Sequence, residues 1–152
     1  MTLHSKCPPA VQVLFWAIIA FGLAHYFQSY PFPVPLFFVA ASALVGTVFL
    51  ALALIDFRKH STTINPLDVT KVSTLVTDGP YRITRNPMYV GLAFLLLAWC
   101  LYLAELAAFV TVPLFLTTMT VFQIKAEESF LIVQFGDEYR QYMNRVTRWL
   151  IF

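Results

Sequence analysis

Four long apolar stretches, separated by unequal connectors, constrain the fold of this chain more than any other feature. They cover about residues 9–30, 34–57, 87–103 and 105–123. Each is close to the roughly 20 residues that a helix needs to cross about 30 Å of hydrocarbon, and the third is the shortest. Because 59% of the 152 residues are hydrophobic and only 12% are charged, a soluble domain could not bury this much apolar surface. The sequence predicts an all-α integral membrane protein with a single domain, residues 1–152.

The connectors predict two membrane hairpins with the polar residues on one side. Residues 31–35 and 102–105 read as tight turns, whereas residues 58–86 form a polar central segment and a polar tail follows the fourth stretch. All ten Lys and Arg residues lie in the N-terminus, the central segment or the tail. The positive-inside rule then predicts that both termini and the central segment are cytoplasmic. A signal peptide in the first stretch is disfavoured, because no small-residue cleavage site precedes a soluble domain.

Turn residues subdivide the two polar regions. Thr77-Asp78-Gly79-Pro80 predicts a turn in the central segment. The tail is expected to extend the fourth helix as far as Gly136. Asp137 is then expected to cap a short helix.

Composition and motif content argue against several functional classes. A net charge of +2 implies no strong attraction to nucleic acid. Cys7 and Cys100 lack CxxC spacing and the three histidines are scattered, so no metal site is predicted, and Cys100 is expected to be a buried thiol. No GxGxxG, Walker or serine-elbow motif is present. The first stretch lacks the mid-membrane acid expected of a small cation exporter, which disfavours a transporter.

The segment "RITRNPMYVG" places basic and capping residues at the start of the third stretch. Asn86 suits an N-cap and Pro87 suits the first helical position, so the third helix is predicted to begin here. Its free N–H groups, with Arg82 and Arg85 beside them, would attract an anion such as a carboxylate. Alternatively, both arginines reach lipid phosphates and Tyr89 joins an interfacial aromatic belt.

Two adjacent acids, Glu127 and Glu128, follow the fourth stretch. The C-terminal end of a helix disfavours negative charge, so these acids are not needed to end it. They would suit a cation or the hydroxyl groups of a ligand. Ion pairs with Arg82, Arg85 or Arg145 are the alternative.

The tail helix carries a third polar group. Glu138, Tyr142 and Arg145 share one face at i, i+4 and i+7. Arg145 could bind a substrate carboxylate or a headgroup phosphate. Glu138 could instead pair with neighbouring arginines, while Tyr139 packs.

Two segments resemble a known family. "LVTDGPYRITRNPMYVG" (75–91) and "EESFLIVQFGDEYRQYMNRV" (127–146) are similar to the isoprenylcysteine carboxyl methyltransferase and phospholipid methyltransferase group. The motifs G-x-Y, R-x-P-x-Y-x-G, E-E-x-x-L, F-G-x-E-Y-x-x-Y and R-V occur in order. The resemblance covers the C-terminal part of the chain, with the preceding hairpin in outline. Asn86 stands where the family has a histidine; it keeps the cap but cannot titrate near neutral pH.

The resemblance implies a methyltransferase that uses S-adenosylmethionine, bound at the cytoplasmic ends of the last two membrane helices and the tail. It implies catalytic roles for Arg145, which would orient an anionic acceptor, and for Glu127, which with Tyr89 could help an amine or thiol acceptor lose a proton. The residues it implies for cofactor binding are Tyr81, Arg85, Asn86, Pro87, Tyr89, Gly91, Glu127 and Glu128.

The acceptor stays open at this point. A lipophilic small molecule or lipidated substrate is expected from the bilayer: a prenylcysteine-type carboxylate, a phospholipid amine, or a small thiol or hydroxyl. The alternatives from other classes are a sterol-reductase-like oxidoreductase and a small membrane transporter or scaffold. The sequence does not indicate the oligomeric state.

Overall fold

The computed structural model describes residues 8–27, 32–59 and 74–151, and the regular elements in these ranges are all helical. The α-helices are α1 (Pro9–Phe27), α2 (Leu36–Lys59), α3 (Pro87–Leu103), α4 (Thr111–Met119), α5 (Lys125–Phe135) and α6 (Asp137–Arg145). Short 3-10 helices cover Gly79–Arg82 and Leu106–Val110, and a π-helical turn covers Thr120–Ile124. The predicted all-α class is confirmed. Cys7 and residues 60–73 of the central segment lie outside the described residues.

Three helices in the described ranges are long and apolar enough to cross a membrane. They are Pro9–Phe27, Leu36–Asp56 and Leu106–Phe135, with 19, 21 and 30 residues. The predicted third segment coincides with α3, which is apolar but has only 17 residues. The fourth continues through the π turn to Phe135, so the predicted extension into the tail is confirmed and both glutamates lie within the helix.

A pair of glycines brings α2 and α3 into close contact. A Cβ added to Gly46 would lie 2.8 Å from the carbonyl oxygen of Gly91, and a Cβ on Gly91 would lie equally close to the oxygen of Gly46. Such a contact needs residues without side chains on both helices. α1 completes the bundle against α3 and α4. Its carbonyl at Ala17 accepts a hydrogen bond from Trp99 Nε1 at 3.0 Å.

The side chains that face inward and outward are both mainly apolar. The largest buried ones lie on α3, α4 and the π turn, and include Leu96, Phe115 and Met119. Cys100 is buried there as a free thiol, as predicted. Much of the outer surface of α1 and α2 is also apolar and exposed, as expected for helices that face lipid rather than water.

Two turns shape the polar end of the bundle. The predicted turn at Asp78–Gly79 is present: Tyr81 N donates to Asp78 O at 3.0 Å, and Gly79 has φ +56°. The Asp56 carboxylate occupies the space that a Gly79 side chain would need. The break at Gly136 is also present, with φ +54°. The predicted capping role of Asp137 is wrong, because Gly136 is the N-cap and Asp137 is the first helical residue.

Candidate functional site

Charged side chains collect at the polar end of the bundle, where four parts of the chain meet. These parts are residues 84–86, the first turn of α3, the π turn with the start of α5, and residues 146–151. The last of these follows α6, begins with an extended residue at Val146 and returns to the other three. We call residues 146–151 the C-terminal strap.

The start of α3 holds the C-terminal strap. Pro87 is at the first helical position and Asn86 is the N-cap, as predicted, but the Asn86 side chain makes no capping hydrogen bond. Its Nδ2 donates instead to Arg148 O at 3.0 Å. Thr84 Oγ1 donates to the same carbonyl at 2.9 Å, and Arg85 N donates to Thr147 O at 2.9 Å.

The Glu127 cluster consists of Tyr89, Gln123 and Glu127. Tyr89 OH donates to Glu127 Oε1 at 2.6 Å, and Gln123 Nε2 donates to the same oxygen. Gln123 is completely buried and belongs to the π turn. A π turn inside an α-helix is frequently found at a functional site. Two neutral donors thus fix one carboxylate oxygen. Among the described residues, Oε2 of Glu127 has no hydrogen-bond donor.

The Glu128 cluster consists of Arg85, Glu128 and Arg148. Arg148 Nε and Nη2 donate to Glu128 Oε1 and Oε2 at 3.0 and 2.7 Å, which is a bidentate pair. Arg85 Nη2 lies 3.3 Å from Glu128 Oε1. The side chains of Arg85 and Glu128 are only 9% and 8% exposed. Two guanidinium groups share one carboxylate, so the cluster carries a net positive charge.

The Arg85 guanidinium is not fully paired. Its Nε and Nη1 are buried and have no hydrogen-bond partner among the described residues. Buried polar atoms are nearly always paired in folded proteins, so these two nitrogen atoms call for an explanation. A bound anion would accept a hydrogen bond from at least one of them.

Arg148 and Gln123 were not among the predicted site residues. The hydrogen bonds to Glu128 raise the pKa of Arg148, against the opposing effect of burial, so this guanidinium is charged. The spacing of Gln123 and Glu127, four residues apart on one helix, was a usable indication for the first contact. No local pattern indicated that Arg148 meets Glu128.

Tyr81 and the tail helix form a neutral contact beside the two clusters. Tyr142 OH donates to Tyr81 O at 2.6 Å. Burial raises the pKa of Tyr81, with smaller contributions from Tyr142 and Asp56. Burial and then Tyr139 raise the pKa of Tyr142. Both tyrosines are therefore neutral, and this contact holds α6 to the 3-10 turn.

Arg145, Gly91 and Arg82 belong to neither cluster. Arg145 is exposed, and its Nε donates to Gln141 O in its own helix at 3.4 Å. Gly91 lies against α2, where it allows the helices to approach. Arg82 is exposed and pairs with Asp78 at 3.1 Å. A role in ligand binding for Arg145 or Gly91 stays a prediction.

Comparison with known proteins gives matches over most of the chain. The family model for phospholipid methyltransferases matches residues 35–138. An uncharacterised protein of Haemophilus influenzae is 46% identical over 63 residues, which are 41% of this chain and 100% of that protein. The protein-S-isoprenylcysteine O-methyltransferase of Schizosaccharomyces pombe is 36% identical over 72 residues, or 47% of this chain. The match spans 30% of that relative's length. No solved structure shows a significant match.

Proposed function

The chain belongs to the phospholipid methyltransferase family, and we propose that it transfers a methyl group from S-adenosylmethionine to a lipophilic acceptor that reaches the site from the bilayer. The observation that carries this proposal is the Glu128 cluster with its two unpaired Arg85 donors, set beside the Glu127 carboxylate. Opposite charges at one end of an apolar bundle suit a ligand that carries both signs.

The residues present fit S-adenosylmethionine. Arg85 would donate to its carboxylate from Nε or Nη1, and the N–H groups at the start of α3 would add to that attraction. Glu127 would accept from its ammonium group or ribose hydroxyls through Oε2, because Oε1 is held by Tyr89 and Gln123. Glu128 has both oxygens on guanidinium groups, so it would act mainly by holding the two arginines.

Other predicted contacts keep supporting roles in this proposal. Pro87 and Asn86 begin α3 and so present its first N–H groups. Tyr81 holds the tail helix through its carbonyl. Gly91 keeps α3 against α2 behind the site.

When bound, the cofactor supplies an electrophilic methyl group on a sulfonium. A carboxylate acceptor already carries its lone pair, so the protein needs only to position it and exclude water. An amine or thiol acceptor must lose a proton, and Glu127 Oε2 is the atom proposed to take it. Arg145, exposed on α6, is proposed to orient an anionic acceptor at the membrane surface. Asn86 has no titratable group and takes no part in proton transfer.

We also propose four membrane spans, with α3 as the shortest. The two connections within the hairpins carry no Lys or Arg, while all ten basic residues lie in the N-terminus, the central segment and the tail. Both termini and the site would then be cytoplasmic. This arrangement puts the Arg85 and Glu127 side chains at the membrane surface, where a water-soluble cofactor and a lipid can both reach them.

Two acceptor classes have support. A prenylcysteine-type carboxylate is supported by the name of the Schizosaccharomyces pombe relative. A phospholipid amine is supported by the family name. A transfer assay with labelled methyl groups, using prenylated cysteine and phosphatidylethanolamine vesicles in parallel, distinguishes them.

Cofactor binding is tested by calorimetric titration of the detergent-purified chain with S-adenosylmethionine and S-adenosylhomocysteine. We expect saturable binding of both ligands. The matched control is Arg140→Gln, because Arg140 is exposed and pairs with its neighbour Asp137, and it should bind like the parent. No saturation at millimolar ligand would refute the proposed function.

A further inference from the structure

We propose that Arg148 is a positioning residue that keeps Arg85 free for an anionic ligand by occupying Glu128. This inference rests on the proposed function, in which the anion is the cofactor carboxylate. It assigns the tail arginine an indirect role: Arg148 affects the ligand through the carboxylate that it shares with Arg85.

The unequal sharing of Glu128 is the first observation. Arg148 makes a bidentate contact with both carboxylate oxygens, at 3.0 and 2.7 Å. Arg85 reaches one oxygen only, with one nitrogen at 3.3 Å. A carboxylate between two arginines can pair bidentately with one of them, and here Arg148 holds that position.

The second observation is the state in which this leaves Arg85. Its side chain is nine-tenths buried, yet Nε and Nη1 lack a partner among the described residues. Burying donors without partners costs free energy, and the positive charge of the cluster adds to that cost. Because a carboxylate ligand would offset both, the arrangement favours an anion at this point.

The backbone around Arg148 is the third observation. Its carbonyl accepts from Thr84 Oγ1 and Asn86 Nδ2, on either side of Arg85. The next residue, Trp149, is 4% exposed and donates from Nε1 to Thr120 Oγ1 in the π turn at 3.0 Å. The C-terminal strap is thus attached to the segment that carries Arg85 and to the π turn that precedes Glu128 on the same helix. Asn86 therefore helps to position Arg148, which explains why an amide donor suits this site.

These contacts predict what happens when Arg148 is removed. Glu128 would turn its two oxygens to Arg85 and form a neutral bidentate pair. Arg85 would be present but no longer available, so the protein would lose affinity for the carboxylate of its ligand. Removing Glu128 as well would release Arg85 and restore part of that affinity. A role for Arg148 in folding alone does not predict this recovery.

The experiment measures calorimetric affinity of the full chain for S-adenosylmethionine and for its decarboxylated form. Arg148→Gln should weaken binding of S-adenosylmethionine about tenfold, which corresponds to roughly 1.4 kcal/mol, and change binding of the decarboxylated form less than about twofold. Glu128→Gln/Arg148→Gln should recover part of the lost affinity. Glu128→Gln alone should keep the preference for S-adenosylmethionine over its decarboxylated form, since no carboxylate then competes for Arg85.

Several outcomes would overturn the inference. Equal weakening of both cofactor forms by Arg148→Gln, or a double variant no better than the single one, would show that Arg148 acts only through folding. Should Arg148→Gln fail to fold, Arg148→Lys keeps the positive charge but cannot pair bidentately with Glu128, and it should give an intermediate loss of affinity. Glu128→Gln then still tests whether Glu128 competes with the ligand for Arg85.

If the parent binds neither cofactor form, the proposed function itself fails. If the parent binds but the variants do not follow the expected pattern, only this inference fails.

Discussion

Glu127 and Glu128 are neighbours on one helix, yet they lie in opposite surroundings. Successive helical residues point about 100° apart, so the two side chains meet different elements. In the Glu127 cluster, neutral donors from Tyr89 and Gln123 converge on one oxygen. In the Glu128 cluster, guanidinium groups contact both oxygens. Adjacent acids can therefore differ in their contacts: Glu127 is held by neutral donors at one oxygen only, whereas Glu128 holds two arginines.

The largest effect should come from exchanging the charge of Glu127. Glu127→Gln keeps the size of the side chain and an oxygen for Tyr89 and Gln123, but removes the negative charge. We expect kcat/KM for methyl transfer to fall about 100-fold or more. Glu138→Gln, an exposed acid on α6, is the control. Activity of Glu127→Gln close to that of the parent would place the ligand elsewhere.

A smaller effect should follow when only the support of Glu127 is removed. Gln123→Met keeps the buried volume but deletes one of the two donors to Oε1. Since Tyr89 still holds the carboxylate, we expect about a tenfold loss in kcat/KM, worth roughly 1.4 kcal/mol. The loss should disappear in the background of Glu127→Gln, where there is no charge left to orient. Additive losses in the double variant would contradict the coupling.

Arg145 should matter less than the arginines of the Glu128 cluster. Because it is exposed and bonded to its own helix, Arg145→Ala should leave cofactor affinity unchanged and lower turnover about threefold or less with an anionic acceptor. Turnover with labelled methyl groups and calorimetric affinity, measured on the same preparation, test this. Loss of cofactor binding would mean that the tail moves Arg145 toward the site.

The smallest effect should be a pH dependence of stability that arises from Tyr142 rather than from Glu127 or Glu128. Burial raises the pKa of Tyr142 above its ordinary value of about 10. The folded state therefore holds this proton more tightly, so its contribution to stability is complete below about pH 10 and is lost as the pH rises further. As the pH rises above about 10, the melting temperature should fall more steeply in the parent than in Tyr142→Phe. Equal slopes would mean that other groups control alkaline unfolding.

Local features of the fold could be predicted from sequence, because local residues determine them. Pro87 begins α3 because proline suits the first helical position, and Gly136 ends the last long helix because glycine readily adopts a positive φ. The adjacent acids likewise stand out in the sequence, because charge at the end of an apolar stretch is unusual. Their individual surroundings were not predicted.

The missed contacts join distant residues. Asn86 and Arg148 are 62 positions apart, and nothing in either neighbourhood indicates the other. Helical periodicity puts Arg145 on one face with Glu138 and Tyr142, but α6 ends at Arg145 and the chain continues in an extended conformation from Val146. Three residues further on, the direction of a side chain is set by tertiary contacts rather than by the helical repeat.

The π turn at Thr120–Ile124 inserts one extra residue into a helix that begins at the far side of the bundle. Each residue advances an α-helix by about 100°. An extra residue in a regular α-helix would therefore rotate everything after it by about that angle, whereas a π turn takes up the extra residue locally in one wider turn. If the same residues formed a regular α-helix throughout, both acids would turn away from Tyr89 and Arg85 together. The direction of the charged groups thus depends on one wide turn inside the apolar helix, which the C-terminal strap contacts through Trp149.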